Sequence, residues 1–233
     1  MNIPFVKVPT FTMVLPHSKK EIKFRPYVVK EEKLLIMADD GNDVETTLNI
    51  IGDIVKNCTF DAIDIEKDAM FDVQHAFLQI RGKSSGEAFE IYLVCGDCSH
   101  KTPVLLNIND FKLKLTPGHT NSIKLPDDYT VEMRYPTFKH FMRLYSSDDE
   151  SRVYDVVAEC IKSISTTEET FENTKDNIKD IREFVDNLTP EQFEQFENFF
   201  ITMPLLQHSL EYTCPSCNVL NTVLIDGINN FFE

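Results

Sequence analysis

The sequence predicts an α+β protein in which helical layers surround a small antiparallel β unit, with a four-cysteine zinc ribbon split between two distant parts of the chain. Three observations carry that reading. Two cysteine pairs share one frame, Cys95-Gly96-Asp97-Cys98 and Cys214-Pro215-Ser216-Cys217. Apolar stripes at helical spacing fill residues 28–81 and 153–200. Strand-like runs lie between those stripes, at 87–94, 104–108, 111–115 and 129–135. A chain of 233 residues can bury one core or two small ones, and eighteen phenylalanines supply bulk where there is no tryptophan.

Residues 1–26 are punctuated by proline and read as an extended arm or a hairpin, with 11–15 pairing 21–24 around Pro16-His17-Ser18. Residues 27–84 form a helical region. Its first helix, 28–38, puts Leu34, Leu35 and Ala38 on one side, and Lys30-Glu31-Glu32-Lys33 reads as a solvated face or an interaction patch. Asn42 with Glu45 is a capping-box arrangement opening a helix with Val44, Leu48, Ile51 and Val55 on its stripe. A third helix, about 67–81, carries Met70, Val73, Phe77 and Ile80, and residues 83–86 make a turn.

Residues 85–145 are the antiparallel β unit with the first knuckle. Residues 146–209 read as a helical insertion. Ser147 with Glu150 caps a helix whose stripe runs Val153, Val156, Val157, Cys160, Ile161 and Ile164. Residues 166–180 are polar and acidic, and read as the most mobile stretch. Ile178, Ile181, Phe184, Val185 and Leu188 make the next stripe. Thr189-Pro190-Glu191-Gln192 is a cap, a first-turn proline and a capping-box glutamine in succession. That helix carries Phe193, Phe196, Phe199 and Phe200 and ends at Pro204. Residues 210–233 hold the second knuckle and a hairpin turning at Asp226-Gly227, with Phe231 and Phe232 packing on the ribbon.

The chemistry lies in the knuckles. Two thiolates spaced C-x-x-C share one tight turn, and two such turns complete a tetrahedral set for Zn²⁺ from Cys95, Cys98, Cys214 and Cys217. Each pair follows a strand-like run and leads into another. Four thiolates suit iron as well as zinc, and they leave no open position for catalysis. A redox dithiol needs a helix N-terminus after the first cysteine, whereas 218–225 is strand-like. His100, next to Cys98, reads as an exposed or neighbouring residue rather than a ligand. Cys58 and Cys160 fall on apolar stripes and read as core. Six cysteines used this way suit a reducing compartment.

A net charge of −15 opposes the phosphate contacts that nucleic-acid binding requires. The sequence begins without a charged-then-apolar segment, and no stretch approaches the roughly 18 apolar residues of a membrane span. His17, His75, His119, His140 and His208 are scattered, and no nucleophile elbow, phosphate-cradling loop or dinucleotide fingerprint occurs.

Residues 24–38 (FRPYVVKEEKLLIMA), 71–87 (FDVQHAFLQIRGKSSGE), Arg134-Tyr135-Pro136-Thr137 and the two knuckles, in that order, resemble the baseplate protein family of T4-like bacteriophages over about residues 10–233. That family includes a small hub component and hub assembly factors. The resemblance implies a non-enzymatic structural or assembly protein, working in the infected cell's cytoplasm and in the virion tail if retained there. Its implied partners are other baseplate hub or tail proteins, with neither nucleic acid nor membrane. The alternatives from other classes are a zinc-ribbon regulator acting on nucleic acid and a C-x-x-C thiol oxidoreductase.

Overall fold

A computed structural model of the protein describes residues 6–39, 44–145 and 151–226. Contacts divide the chain into two compact units, 1–114 together with 205–233, and 115–204. The second is therefore inserted into the first.

The first unit begins with a hairpin of β1 (Phe11–Val14) and β2 (Glu21–Phe24), with Phe11 opposite Phe24. Lys19 closes its turn in the left-handed region at φ 57°. The turn is tied down by a buried carboxylate. Asp72 accepts the amide hydrogens of His17 and Ser18 at 2.8 and 3.0 Å, so the buried carboxylate is satisfied by two donors of the turn. Three helices follow, α1 (Val29–Asp39), α2 (Val44–Cys58) and α3 (Met70–Ser85). The expected α2 stripe is buried, with Leu48, Ile51 and Val55 each at most 3% exposed. The Asn42 cap lies outside the described residues.

Two readings of this region change. Glu31 does not lie on a solvated face. It is buried and takes Arg25 Nη2 and Nη1 at 2.6 and 3.0 Å and the Val28 amide at 2.8 Å. Desolvation pulls its carboxyl upward, but the Arg25 hydrogen bonds and the Val28 amide outweigh it and leave the pKa lowered. Residues 83–85 are not a turn either, because α3 continues to Ser85 and stops at Gly86, whose φ of 101° suits glycine. Within α3, Gly82 permits a close approach: a Cβ there would stand 2.2 Å from Ile108 Cδ1. Ile108 begins the 3-10 turn Ile108–Asp110 after the hairpin of β3 (Ala88–Val94) and β4 (Lys101–Asn107). Strand β5 (Lys112–Lys114) then leads to the second unit.

The second unit is a four-stranded antiparallel sheet with helices. Its elements are β6 (Ser122–Lys124), β7 (Thr130–Met133), α4 (Phe138–Tyr145), α5 (Arg152–Cys160), β8 (Ile161–Ser165), β9 (Thr170–Glu172), α6 (Ile178–Asp186) and α7 (Pro190–Thr202). The strand order is β6-β7-β8-β9. The stripe read as one helix to Ile164 is cut at Cys160. Arg134 donates to the carbonyl oxygens of Glu159 and Ile161 at 3.0 Å each, and Asn173 Nδ2 donates to those of Ala158 and Ile161 at 2.9 and 2.8 Å. Side chains thus take the carbonyls that another helical turn would have used. Ile161 and Ile164 then pair with Met133 and Val131 across β7. The stretch 166–180, read as polar and acidic, contains β9 and the start of α6. Ser147 and Glu150 lie outside the described residues.

Helix α7 opens with the expected capping box. Thr189 Oγ1 accepts from the Gln192 amide at 3.3 Å, and the Thr189 amide donates to Gln192 Oε1 at 2.8 Å. Phe196 and Phe199 are buried with Val131, Ile161, Ile181 and Val185, and Phe200 packs edge-on against Phe199. The insertion expected at 146–209 extends instead over 115–204, taking β6, β7 and α4 with it.

The chain returns through β10 (Leu205–Thr213) and β11 (Leu220–Asp226), which form a three-stranded sheet in the order β11-β10-β5. Leu205 stands opposite Lys114, so the residues of the first unit that flank the insertion are antiparallel neighbours in one ladder. The turn at Gly227 and the packing of Phe231 and Phe232 lie outside the described residues.

Candidate metal centre

Each knuckle joins the two strands of a hairpin. The first connects β3 to β4 and the second connects β10 to β11. Their backbone patterns match residue for residue. The Cys95 amide donates to His100 O at 3.0 Å and the Ser99 amide to Cys95 O at 3.0 Å; the Cys214 amide donates to Val219 O and the Asn218 amide to Cys214 O, both at 2.9 Å. The residue after the second cysteine is left-handed in both, Ser99 at φ 58° and Asn218 at φ 59°. Asparagine visits that region readily and serine less so. One turn geometry, set by one spacing, is therefore built twice.

The two knuckles meet. Cys95, Cys98, Cys214 and Cys217 bring their Sγ atoms within 4.8 Å of one another. Cys95 and Cys217 are 3.7 Å apart, Cys98 and Cys214 3.6 Å, although 122 and 116 residues separate them in the chain. Those distances are far from the roughly 2.05 Å of a disulfide. They approach the edge of about 3.8 Å that a tetrahedron with metal–sulfur bonds of about 2.3 Å requires. Cys95 and Cys214 are buried, Cys217 is half-buried and Cys98 is exposed. The donor set is four soft thiols, and it fits an ion of the zinc or iron class with no position left over. His100 is exposed and contributes a backbone carbonyl, not a ring nitrogen.

The electrostatics agree with a cation site. The amides of Cys98 and Asp97 hold the Cys95 thiol down at about 6. The Val219 amide acts in the same direction on Cys217, but neighbouring Cys98, Cys214 and Cys95 outweigh it and push that thiol up to about 12. Four thiols this close cannot all ionise without a positive charge among them.

Sequence reasoning missed Asn221. Its Nδ2 donates to Cys95 Sγ at 3.6 Å, and its Oδ1 accepts from the Gly96 amide at 3.4 Å. A side chain beyond the second knuckle thus orients the first. No spacing rule announces it, because it acts across the junction.

A second constellation resembles a catalytic triad but is structural. His140 Nε2 lies 3.1 Å from Glu159 Oε2, and His140 Nδ1 lies 3.8 Å from Cys160 Sγ. Cys160 is fully buried, and burial pushes its thiol up to about 12. The Thr137 amide donates to His140 Nδ1 at 3.1 Å, which makes that nitrogen the acceptor in a cap at the start of α4. A nucleophile needs a lowered pKa and access, and Cys160 has neither.

The fold and the site together define a mixed α and β protein whose first unit is gathered around four converging cysteines. A family model described as T4 bacteriophage base plate protein matches residues 8–233, and the chain belongs to that family. Membership gives it a structural role in the phage baseplate among other tail proteins. No curated protein and no solved structure matches the chain. Among the described residues no helix is long and apolar enough to cross a membrane.

Proposed function

We propose that this protein is a non-enzymatic component of the baseplate hub, or a factor that assembles the hub, and that a structural Zn²⁺ on Cys95, Cys98, Cys214 and Cys217 staples its first unit. The observation that carries the zinc is the meeting of two matched knuckles whose four Sγ atoms lie within 4.8 Å. Bound there, zinc would supply a fixed tetrahedral cross-link and no catalytic position. Iron is the competing ion, because the donor set suits both.

The hub assignment is supported by the family match over residues 8–233, which spans the blocks at 24–38, 71–87 and 134–137 and both knuckles. Its partners are other hub or tail proteins, met in the host cytoplasm during assembly and in the virion if the protein is retained. The nucleic-acid alternative has little support at the knuckles: residues 95–101 and 213–221 hold one lysine, Lys101, and one aspartate, Asp97. The oxidoreductase alternative requires a low-pKa thiol that is also exposed, and Cys95 is 1% exposed. Both knuckles lead into strands, β4 and β11, rather than helices.

Two measurements test the reading. Elemental analysis of protein purified without added metal, with thiol titration alongside, is expected to find one zinc per chain and four protected thiols. Metal-free protein with reactive, reducible thiol pairs refutes the zinc. Affinity purification from infected cells is expected to recover hub proteins, and their absence refutes the hub role.

A further inference from the structure

The second unit holds a groove between the edge strand β6 and helix α7, with a cavity volume of about 830 Å³. Its size is within the range of pockets that take small or extended ligands. Ile123 and Phe199 line it, Ser122 and Lys124 form the strand wall, and Glu191 and Glu194 stand on the helix wall. Both glutamates are exposed.

The strand wall presents backbone groups to the groove. In the order β6-β7-β8-β9, no described strand lies on the far side of β6. Met133 donates its amide to Asn121 O at 2.7 Å, and Leu125 donates to Tyr129 O at 2.9 Å. Antiparallel pairing alternates, so the odd-numbered residues face β7 while the amide and carbonyl groups of Ser122 and Lys124 turn outward. The Ser122 amide is taken locally by Thr120 Oγ1 at 3.1 Å. The carbonyl of Ser122 and both backbone groups of Lys124 are left for an incoming strand.

The two walls match in length. Three residues of β6 span about 10 Å at roughly 3.4 Å per residue. The α7 stripe from Glu191 to Asn198 rises by about 10 Å at 1.5 Å per residue. An extended segment of three or four residues therefore fits between them, with alternate side chains facing α7. The groove sits in a unit with 18 acidic and 9 basic residues along 115–204, a net −9. A second copy of this chain, at −15, would be repelled.

We infer that the β6–α7 groove docks an extended, lysine- or arginine-bearing segment of another protein, which adds a strand to β6 and sets its basic side chains against Glu191 and Glu194. This is strand addition with charge selection. It rests on the reading that the protein works by binding other proteins, and it does not depend on the zinc.

The test uses the full chain and two labelled synthetic peptides, acetyl-Lys-Val-Lys-Val-Lys-amide and its glutamate counterpart, followed by fluorescence anisotropy. The lysine peptide is expected to bind at least tenfold more tightly. Glu191→Gln with Glu194→Gln should narrow that preference to within about threefold. Lys124→Pro should abolish binding by removing the outward amide, while Lys124→Gln leaves binding equal or tighter. Amide NMR shifts should centre on Lys124. Equal affinity for both peptides, binding indifferent to Lys124→Pro, shifts centred elsewhere, or concentration-dependent self-association blocked by Lys124→Pro would each overturn the inference. Recovery of hub proteins by a variant that binds neither peptide would overturn the groove and leave the hub role standing.

Discussion

Replacing Cys214 by serine tests the staple most directly. Cys214 meets Cys98 across 116 residues of chain. A metal clip closing a loop of that length removes much of the unfolded chain's freedom. The loop-closure relation for a cross-link gives about 5 kcal/mol at 25 °C as an upper figure. The β5–β10 ladder also joins the residues that flank the inserted unit, but that ladder melts with the fold, whereas a metal that stays bridged between the two knuckles restrains the unfolded chain too. Stability of about 5–15 kcal/mol is typical of whole domains, so losing the clip removes a large share of it. A loss of this size lowers the melting temperature by about 10 °C or more in a unit of this size. The assay is thermal unfolding of wild type and Cys214→Ser, each with and without a chelator. The wild type should drop on chelation, and the variant should start low and be indifferent to chelator. Equal melting temperatures for the two proteins, or a chelator shift of the same size in both, would refute the shared site.

Gly82→Ala places a Cβ against Ile108 Cδ1 and should cost up to about 2 kcal/mol, since overpacking of about 1–3 kcal/mol is offset by roughly 1 kcal/mol of helix propensity. Adding Ile108→Val removes the clashing atom, and the double variant should be more stable than Gly82→Ala alone by denaturant titration. In the second unit, hydrogen bonds from His140, ahead of those from Arg143, hold the Glu159 carboxyl at about 2 against the pull of desolvation. A carboxylate with a depressed folded pKa stabilises fully above its ordinary value near 4.5 and loses that contribution as pH falls toward 2. Wild type should therefore lose stability between pH 5 and 2.5 more steeply than Glu159→Gln, which at pH 7 should be weaker by about 1–3 kcal/mol because Arg143 loses its partner. Parallel pH profiles of melting temperature would remove Glu159 from the account. Thr189→Ala deletes the cap on α7 and should cost about 1 kcal/mol, with serine restoring most of it in the same melting assay.

Much of the local structure was legible because its causes are local. Thr189, Pro190 and Gln192 lie within one turn, and so their cap could be read without knowing what α7 packs on. Each C-x-x-C frame fixes its own turn, which is why the two knuckles share hydrogen bonds and a left-handed residue. The stripe of Leu48, Ile51 and Val55 needed only a 3.6-residue period to announce its buried face. Where the same period fitted two outcomes, sequence failed. Ile161 and Ile164 suit a helix stripe and also a strand beside β7, and the choice fell to Arg134 and Asn173, which come from elsewhere in the chain and take the Glu159 and Ala158 carbonyls at the helix end. Glu31 looked solvated because its neighbours are charged, and only Arg25 and the Val28 amide explain its burial.

The sequence by itself determined which residues carry the thiols, the turns that present them and the cap that starts α7, since each depends on a few consecutive residues. Tertiary structure decided that Cys95 faces Cys217 and Cys98 faces Cys214, that Asn221 reaches back to Cys95, and that 115–204 forms a unit of its own. The thiol and Asn221 contacts join groups 116 to 126 residues apart, and a sequence carries no local mark of such a meeting.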